Sequence, residues 1–361
     1  MVHGGKIRSI RKVQKFFDGE IDSVQKYDLK NASSANSAVA SKKYGVHRMD
    51  VKLKDGSTEE LALKSKSQKT LVNGILLLTK KNPKLRLDLI LNHKIFSYND
   101  SHRREISVYK NIDDSLREHL INYRGYYKNG LVKKYNIMFD YHNIKNEKLN
   151  VKTAKRILDT ILEFHIRYYN DIESAKKMNL NIYTPNDYRR AKKCIFKLYD
   201  SRHEENVKLY GEKKDQEIVE YINDIDKIMK KTAWHRTFTH NDFSTRNIFY
   251  DKDKVLFYDF ELACFQNPEH DLMEMFFYDL ECFTDIEVKE LINYYKDGLR
   301  HGGIEISDDD FAEMIKYNTF EFVVNRLSMT KTINDHVHLD FADVSIPNSV
   351  RLLKLVEKLY E

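Results

Sequence analysis

The sequence predicts an α+β protein of two lobes, a β-rich lobe over residues 1–141 and a mostly helical lobe over residues 142–361. A chain of 361 residues is long enough for two domains. Strand-like alternation and a hairpin signal mark the first part of the chain, whereas apolar residues three and four apart mark the second. Because 41% of the residues are hydrophobic, the chain can bury a substantial core.

Charge is distributed unevenly along the chain. Residues 1–140 carry 28 Lys and Arg against 15 Asp and Glu, whereas residues 241–361 carry 12 against 25. This asymmetry fits an anionic ligand bound early in the chain and a cationic one bound late, or two differently solvated surfaces. The basic residues are dispersed and no nucleic-acid-binding motif appears, so nucleic acid is not an expected partner.

Neither a secreted protein nor a membrane protein is expected. The N-terminal stretch is basic but lacks the apolar run of a signal peptide, and the longest apolar run, residues 74–78, is too short to cross a bilayer. The three cysteines, Cys194, Cys264 and Cys282, are odd in number and follow no metal-ligand spacing. These features favour a cytoplasmic protein without membrane insertion.

The elements of the first lobe follow in order. Residues 21–67 are strand-like, and "KDGS" at 54–57 predicts a hairpin turn between two of the strands. The stretch "RREISVYKNI", residues 103–112, has helical spacing. The apolar strand "YNIMFDYHN", residues 135–143, is expected to end the lobe near Tyr141.

The second lobe begins with a strongly periodic helix, "VKTAKRILDTILEFHIRYY", residues 151–169, which places Ile157, Ile161 and Leu162 on one stripe. Further helices are predicted at 186–205, 213–231, 271–283, 286–300, 308–328 and 347–360.

A cluster of polar side chains lies within the apolar stretch "FTHNDFSTRNIFYDKDKVLFYDFELA", residues 238–263. Buried polar groups are costly unless they have partners, so these residues either satisfy one another or hold a ligand. Phosphoryl transfer from ATP is a chemistry against which this cluster can be tested. It requires a carboxylate near the acceptor hydroxyl and oxygen ligands for divalent cations. Asp242 can supply the first, and Asn247 and Asp259 can supply the second as Mg²⁺ ligands. A hairpin turning at "DKDK" would carry Asp259 back beside Asn247.

The spacing His240-x-Asp242-x(4)-Asn247, followed by "DFELACFQNPEHDL" at 259–272, resembles the motifs of the aminoglycoside phosphotransferase and choline kinase superfamily. These proteins are relatives of protein kinases that phosphorylate small molecules. The first motif also occurs in protein kinases, whereas the second is similar to that of the small-molecule kinases.

The resemblance implies a bilobal, protein-kinase-like fold with ATP and Mg²⁺ as cofactors. It makes Asp242 the catalytic base and Asn247 and Asp259 the Mg²⁺ ligands, while His240 braces the loop. Residues 170–235 match only as a helical insertion of the kind that builds acceptor pockets, and no residue there is given a role.

Nucleotide contacts are expected in the first lobe. A kinase-like lobe requires a strand Lys for the phosphates and a helical Glu as its partner, and "LALK" makes Lys64 the candidate, ahead of Lys66, with Glu105 as the partner. The loop at 30–40 has no glycine, where the family commonly has one or two. The remaining expected contacts are Ser34, Asn36 and Ser37 in that loop and Met138, Phe139 and Tyr141 at the hinge.

The acceptor is expected to be a small, cationic molecule. The helix "DLMEMFFYDLECF" places Asp271, Glu274, Tyr278 and Glu281 along one face, where carboxylates and an aromatic ring could bind ammonium groups. A solvated acidic face is the alternative. The resemblance also gives Asp271 a structural role near the catalytic loop, and a helix N-cap is the alternative for this residue. It also matches Glu261, which would touch the metal or the loop.

The favoured function is O-phosphorylation of an amine-bearing molecule, such as an aminoglycoside-like or other amino-containing antibiotic. Choline, ethanolamine or a sugar are alternative acceptors. A regulatory nucleotide-binding pseudokinase is an alternative of a different class, which the complete set of catalytic residues disfavours. A protein-Ser/Thr kinase is disfavoured by "DFE" and by the short segment that follows it.

Overall fold

The computed structural model describes residues 10–28, 45–66, 79, 83–91, 100–129, 134–143, 145–182, 194, 196–224, 235–336 and 338–359. The chain divides into two compact units. Met1–Leu76 and Leu120–Lys145 form the first, and Leu77–His119 and Asn146–Glu361 form the second. This division differs from the single boundary predicted at residue 141, because residues 77–119 group with the helical unit.

The first unit contains a five-stranded antiparallel sheet in the order β1-β2-β3-β5-β4. Its strands are β1 Ile21–Asp28, β2 Gly45–Leu53, β3 Thr58–Lys66, β4 Tyr123–Asn129 and β5 Lys134–Asp140, with a short helix α1, Ile10–Val13, before them.

The predicted hairpin joins β2 to β3 through residues 54–57. The Leu53 N–H donates to the Ser57 carbonyl at 2.9 Å, and the Asp55 carboxylate accepts the Ser57 N–H at 2.8 Å. Gly56 has φ 89°, a conformation that L side chains rarely adopt, so the glycine is required by the turn. The turn fixes the register of β3, on which Lys64 lies.

Alternation along β3 separates its two faces. Leu61 and Leu63 belong to the apolar core of this unit, together with Met49, Val51 and Met138. Because successive strand residues point to opposite faces, Lys64 lies on the face away from that core.

The second unit is mostly helical. The first long helix, Val151–Arg167, begins where the Asn150 side chain accepts the Thr153 N–H at 3.1 Å, and Asp285–His301 begins with a capping box formed by Thr284 and Glu287. In chain order its helices are α2 Pro83–Leu91, α3 Ser101–Asn111, α4 Val151–Arg167, α5 Ile172–Lys177, α6 His203–Tyr210, α7 Glu212–Asn223, α8 Glu269–Asp279, α9 Asp285–His301, α10 Asp308–Phe322, α11 Ser328–Asn334 and α12 Ala342–Leu359.

These bounds match most of the predicted helices, although part of the predicted 186–205 and 213–231 segments lies outside the described residues. None of the described helices combines the length and the apolar character that a membrane span requires.

Two small sheets complete the second unit. One has the order β6-β10-β7, and the other is the hairpin β8-β9. The strands are β6 Asn181–Ile182, β7 Thr237–Thr239, β8 Ile248–Tyr250, β9 Val255–Phe257 and β10 Cys264–Gln266.

Aromatic rings form the packing beneath these strands. The Phe164 ring of α4 lies 5.7 Å from the Phe238 ring and 5.5 Å from the Phe257 ring, and the Phe238 and Phe260 rings are 5.8 Å apart. All four side chains are fully buried. This cluster packs the chain on both sides of the segment 240–259, so the backbone that carries the polar residues of that segment is held in place.

Candidate active site

The loop between β7 and β8 begins with two backbone groups held by one carboxylate. The fully buried Asp271 accepts the His240 N–H at 2.8 Å and the Asn241 N–H at 2.9 Å. Asn241 has φ 57°, in the left-handed region, and its side chain donates to the Leu262 carbonyl at 2.8 Å. Such a conformation is strained for a residue other than glycine and persists only where the surroundings determine it.

His240 and His165 both serve this loop. The His240 ring donates from Nε2 to the Tyr258 carbonyl at 2.8 Å and packs 4.9 Å from the Phe260 ring. The buried His165 lies 3.2 Å from the Asp271 carboxylate and 2.5 Å from the Tyr295 hydroxyl. His240 therefore ties the loop to the hairpin, and His165 ties Asp271 to helices α4 and α9.

Asp242 lies in the next part of the loop with a partly exposed side chain. Its carbonyl accepts the Ser244 N–H at 3.1 Å and the Asn247 side-chain N–H at 2.8 Å. Because the amide nitrogen of Asn247 is used in this way, its amide oxygen is left to accept or to bind a cation. The two residues are thus joined within one turn of chain.

Helix α8 supplies three carboxylates to the loop. Besides Asp271, Glu274 accepts the Phe243 N–H at 2.7 Å, and Asp279 accepts the Thr245 N–H at 3.1 Å and its hydroxyl at 2.5 Å. Hydrogen bonds to a charged acceptor are stronger than those between neutral groups. One helix therefore fixes the loop backbone before and after Asp242.

These contacts correct part of the predicted acceptor face. Asp271 and Glu274 are 0% and 1% exposed, so their carboxylates hold the loop and do not form an outer surface. The Tyr278 ring is covered by the Arg246 guanidinium, 4.4 Å from the ring centroid, so an internal cation takes the place expected for an ammonium group. Glu281 is exposed and accepts from the Asn348 side chain at 2.7 Å.

The buried Asp279 should make the stability of the protein depend on pH. Burial raises the pKa of Asp279 from 3.8 to about 6, although the two hydrogen bonds from Thr245 oppose this rise. A raised carboxyl pKa means that the folded state binds the proton more tightly, so the contribution to stability is present below pH 3.8 and is lost as pH rises to about 6. We expect the wild type to lose about 2 kcal/mol relative to Asp279→Asn between pH 4 and 6.

Urea unfolding of both proteins at several pH values measures this difference. Other titrating groups cancel in the comparison, so a difference that stays constant over this range would contradict the assignment.

The β8-β9 hairpin sets the place of Asp259. Ile248 pairs with Phe257, and the Tyr258 N–H donates to the Asn247 carbonyl at 3.2 Å. Asp259 follows directly, with φ 65°, another left-handed residue that is not glycine. The hairpin is therefore formed as predicted and carries Asp259 to the end at which Asn247 lies.

Three carboxylates meet beside this end of the hairpin. One oxygen from each of Glu105, Asp259 and Glu261 lies within 4.8 Å of the others. The Arg104 guanidinium, buried next to Glu105 on α3, donates to the Glu261 carbonyl at 2.6 Å. Carboxylate oxygens at this spacing fit the ligand preference of Mg²⁺, which commonly takes one or two carboxylates and completes its shell with water and phosphate.

The predicted nucleotide residues fall in different surroundings. Lys64 is buried, with 8% of its surface exposed. Met138 belongs to the core of the first unit, and Phe139 pairs with Ala62 on β3. The Tyr141 N–H donates to the Glu60 carbonyl at 3.0 Å, so it is used within the sheet. The predicted loop contacts Ser34, Asn36 and Ser37 lie outside the described residues.

Three residues that hold the loop were not predicted. Asn146 accepts the Tyr250 N–H at 3.1 Å and donates to the Thr245 and Ile248 carbonyls at 3.3 and 3.0 Å. Arg326 donates to the Asn241 carbonyl, and Asp279 holds Thr245. A signal existed for Asp279 alone, because a carboxylate on the same apolar helix as Asp271 and Glu274 requires a partner.

Comparison with known proteins finds a family model that matches the part of the chain containing these residues. Residues 184–308, which contain the loop, the hairpin and α8, match the model of the phosphotransferase enzyme family. Over these residues the chain is similar to that family. The resemblance of the motifs is thereby confirmed, and so is the protein-kinase-like α+β fold.

Solved structures of phosphotransferases share this fold. The GDP and kanamycin complex of APH(2")-IIia has a TM-score of 0.52 and 13% identity, covering 98% of this chain and 99% of that chain. Spectinomycin phosphotransferase APH(9)-Ia, in complex with ADP and spectinomycin, has a TM-score of 0.50 and 12% identity, covering 98% and 97%. No curated protein matches the sequence. The proteins of that family and the similar solved structures are phosphotransferases that act on hydroxyl groups.

Proposed function

We propose that the protein is an ATP- and Mg²⁺-dependent O-phosphotransferase that acts on the hydroxyl of a small, amine-bearing molecule. The observation that carries this proposal is the placement of Asp242. Its side chain is partly exposed, while the backbone groups of the two residues before it and of the residue after it are held by buried side chains. Such rigidity suits a residue that must orient an incoming hydroxyl.

Asp242 would orient the acceptor hydroxyl and accept its proton. A carboxylate in this role needs access to the acceptor together with a fixed direction, and the loop provides both. His240 would take no part in the proton transfer, since its Nε2 donates to the Tyr258 carbonyl.

Asp259 and Asn247 would hold Mg²⁺, with Glu261 nearby. Bound Mg²⁺ would neutralise charge on the nucleotide phosphates. The buried Arg104, which donates to the Glu261 carbonyl, would limit the movement of that residue. For the nucleotide itself we propose contacts to Lys64 and to the hinge residues.

The metal assignment gives a testable result. We expect Asp259→Asn to weaken Mg²⁺-dependent nucleotide binding by about tenfold or more, because one charged oxygen ligand is lost. Calorimetric titration of ATP at several Mg²⁺ concentrations measures this effect. The matched control is Asp253→Asn, since Asp253 is exposed in the turn of the same hairpin. Equal Mg²⁺ dependence in wild type and Asp259→Asn would contradict the assignment.

An amine-bearing acceptor is supported by the charge of the C-terminal third, where acidic residues outnumber basic ones by 25 to 12. The two similar structures are complexes with kanamycin and with spectinomycin, which are amine-bearing molecules. Of the residues first considered for the acceptor, only Glu281 remains with an exposed carboxylate.

The test is ATP consumption by the purified protein with Mg²⁺ against a panel of acceptors. The panel contains aminoglycosides, other amino-bearing antibiotics, choline, ethanolamine and neutral sugars. We expect turnover that depends on an amine-bearing member. Turnover with a neutral sugar alone would overturn the acceptor class, and nucleotide binding without turnover on any member would favour a regulatory role.

A further inference from the structure

The helical segment near the C-terminus contains an irregularity that faces the catalytic loop. Between α10 and α11 the residues Val323–Leu327 form a π-helical turn. Such a turn inserts a residue into an α-helix and is frequently found at functional sites. Arg326 lies within this turn, with 14% of its side chain exposed.

Arg326 reaches two groups of the site. Its guanidinium donates to the Asn241 carbonyl, and the same nitrogen lies 3.6 Å from the Glu274 carboxylate. The Glu274 side chain is fully buried. A buried carboxylate is costly unless a cation or hydrogen bonds compensate it, and Arg326 is the cation nearest to it in the part of the chain that the structure describes.

Glu274 holds the backbone on the other side of Asp242. Its second oxygen accepts the Phe243 N–H at 2.7 Å. Asn241 and Phe243 are the residues on either side of Asp242. The Arg326–Glu274 pair therefore holds the carbonyl that precedes Asp242 and the N–H that follows it, which fixes the peptide planes that direct the Asp242 side chain.

We infer that Arg326 and Glu274 form a positioning pair for Asp242, and that the π-helical turn exists to bring Arg326 to the loop. The inference rests on the proposed function, since it assigns the pair a role in phosphoryl transfer. Neither residue touches the reacting atoms, so both act through the direction of the Asp242 carboxylate.

Several charged groups face Glu274. Burial raises its pKa, Arg326 lowers it, and Asp242 and Asp271 raise it. His270 lies 3.9 Å away, and its burial lowers its pKa. Without Arg326, the Glu274 carboxyl should remain protonated to a higher pH. The rise of activity with pH should then move to higher pH in Arg326→Met, and this shift should disappear when Glu274→Gln is added.

The test uses the variants Arg326→Met, Arg326→Lys and Glu274→Gln. The control is Arg202→Met, which replaces a comparable arginine whose carboxylate partners lie outside the loop. Arg202 is suitable, because it is 15% exposed and also pairs with carboxylates, those of Glu205 and Asp335. We expect Arg326→Met to lower kcat about 10- to 100-fold with little change in the KM for ATP, and Arg202→Met to leave kcat within about twofold. Arg326→Lys should restore part of the loss.

Hydrogen exchange supplies a readout that does not depend on activity. The peptide covering residues 240–247 should exchange faster in Arg326→Met than in wild type, and at the wild-type rate in Arg202→Met. Unchanged exchange or an unchanged kcat in Arg326→Met would overturn the positioning pair. If the wild-type protein transfers phosphate to no acceptor, the proposed function is overturned. Hydrogen exchange still tests whether Arg326 and Glu274 hold the loop, so the two failures can be distinguished. If Arg326→Met does not fold, Arg326→Lys and Glu274→Gln decide by the same readouts.

Discussion

Replacing Asp242 by alanine should lower the rate of phosphoryl transfer by about 10²- to 10⁴-fold, the range found for the loss of a general base. Nucleotide binding should persist, because the proposed metal ligands Asn247 and Asp259 are unchanged. The fold should also persist, since the Asp242 side chain is partly exposed and the backbone contacts of the loop do not involve it. Steady-state kinetics and calorimetric nucleotide titration measure the two effects separately.

The matched control for this change is Asp253→Ala. Asp253 is an exposed aspartate in the β8-β9 turn, and its loss should leave the rate within about twofold. Asp242→Asn is the second comparison, because it keeps the shape but removes the charge. Near-wild-type transfer by either Asp242 variant would remove the role assigned to this residue.

Replacing Asp271 by asparagine should have the largest effect on stability, with a loss of about 3–5 kcal/mol in the free energy of unfolding. The carboxylate is fully buried and accepts the backbone N–H groups of His240 and Asn241, with His165 as a third partner. An asparagine turns an NH₂ group toward one of these donors, which leaves a buried N–H without an acceptor. Transfer should fall as well, because the start of the loop is released.

The contribution of Asp271 to the free energy of unfolding should depend on pH. Burial by itself raises the pKa of Asp271, but the hydrogen bond and charge of His165, with His270 and His240 nearby, bring it below its usual value. A lowered carboxyl pKa contributes stability above the unfolded pKa, and this contribution is lost as pH falls through the folded value. The difference between wild type and Asp271→Asn in urea unfolding should therefore shrink in acid.

Glu281→Gln is the control for Asp271. Glu281 is exposed just beyond the end of α8, and its bond from Asn348 can be accepted equally by a glutamine oxygen. The expected cost is within about 0.5 kcal/mol. Equal stability of the Asp271 and Glu281 variants would show that Asp271 does not hold the loop.

The parts of the site that are local in sequence could be predicted. The "DKDK" turn and the short apolar runs beside it specify a hairpin, and the hairpin carries Asp259 to the end at which Asn247 lies. The helix at 151–167 could be predicted because its apolar stripe is long and regular.

The parts that depend on distant packing could not be predicted. The carboxylates of α8 have the spacing of a surface stripe, and only the tertiary structure shows that Asp271 and Glu274 point into the protein. Arg326 lies 85 residues from Asn241, and nothing in the local pattern marks a π-helical turn. The grouping of residues 77–119 with the helical unit is likewise decided by packing, not by strand and helix propensity.

The central claim is that the protein moves the terminal phosphoryl group of ATP to the hydroxyl of a small molecule. ATP labelled in that phosphate, incubated with Mg²⁺ and the acceptor panel, tests it most directly. We expect the label on one class of acceptor, in an amount equal to the ADP formed, and its absence there with Asp242→Ala. Label found only as inorganic phosphate or on protein side chains, or left in ATP that is bound but not consumed, would contradict the claim.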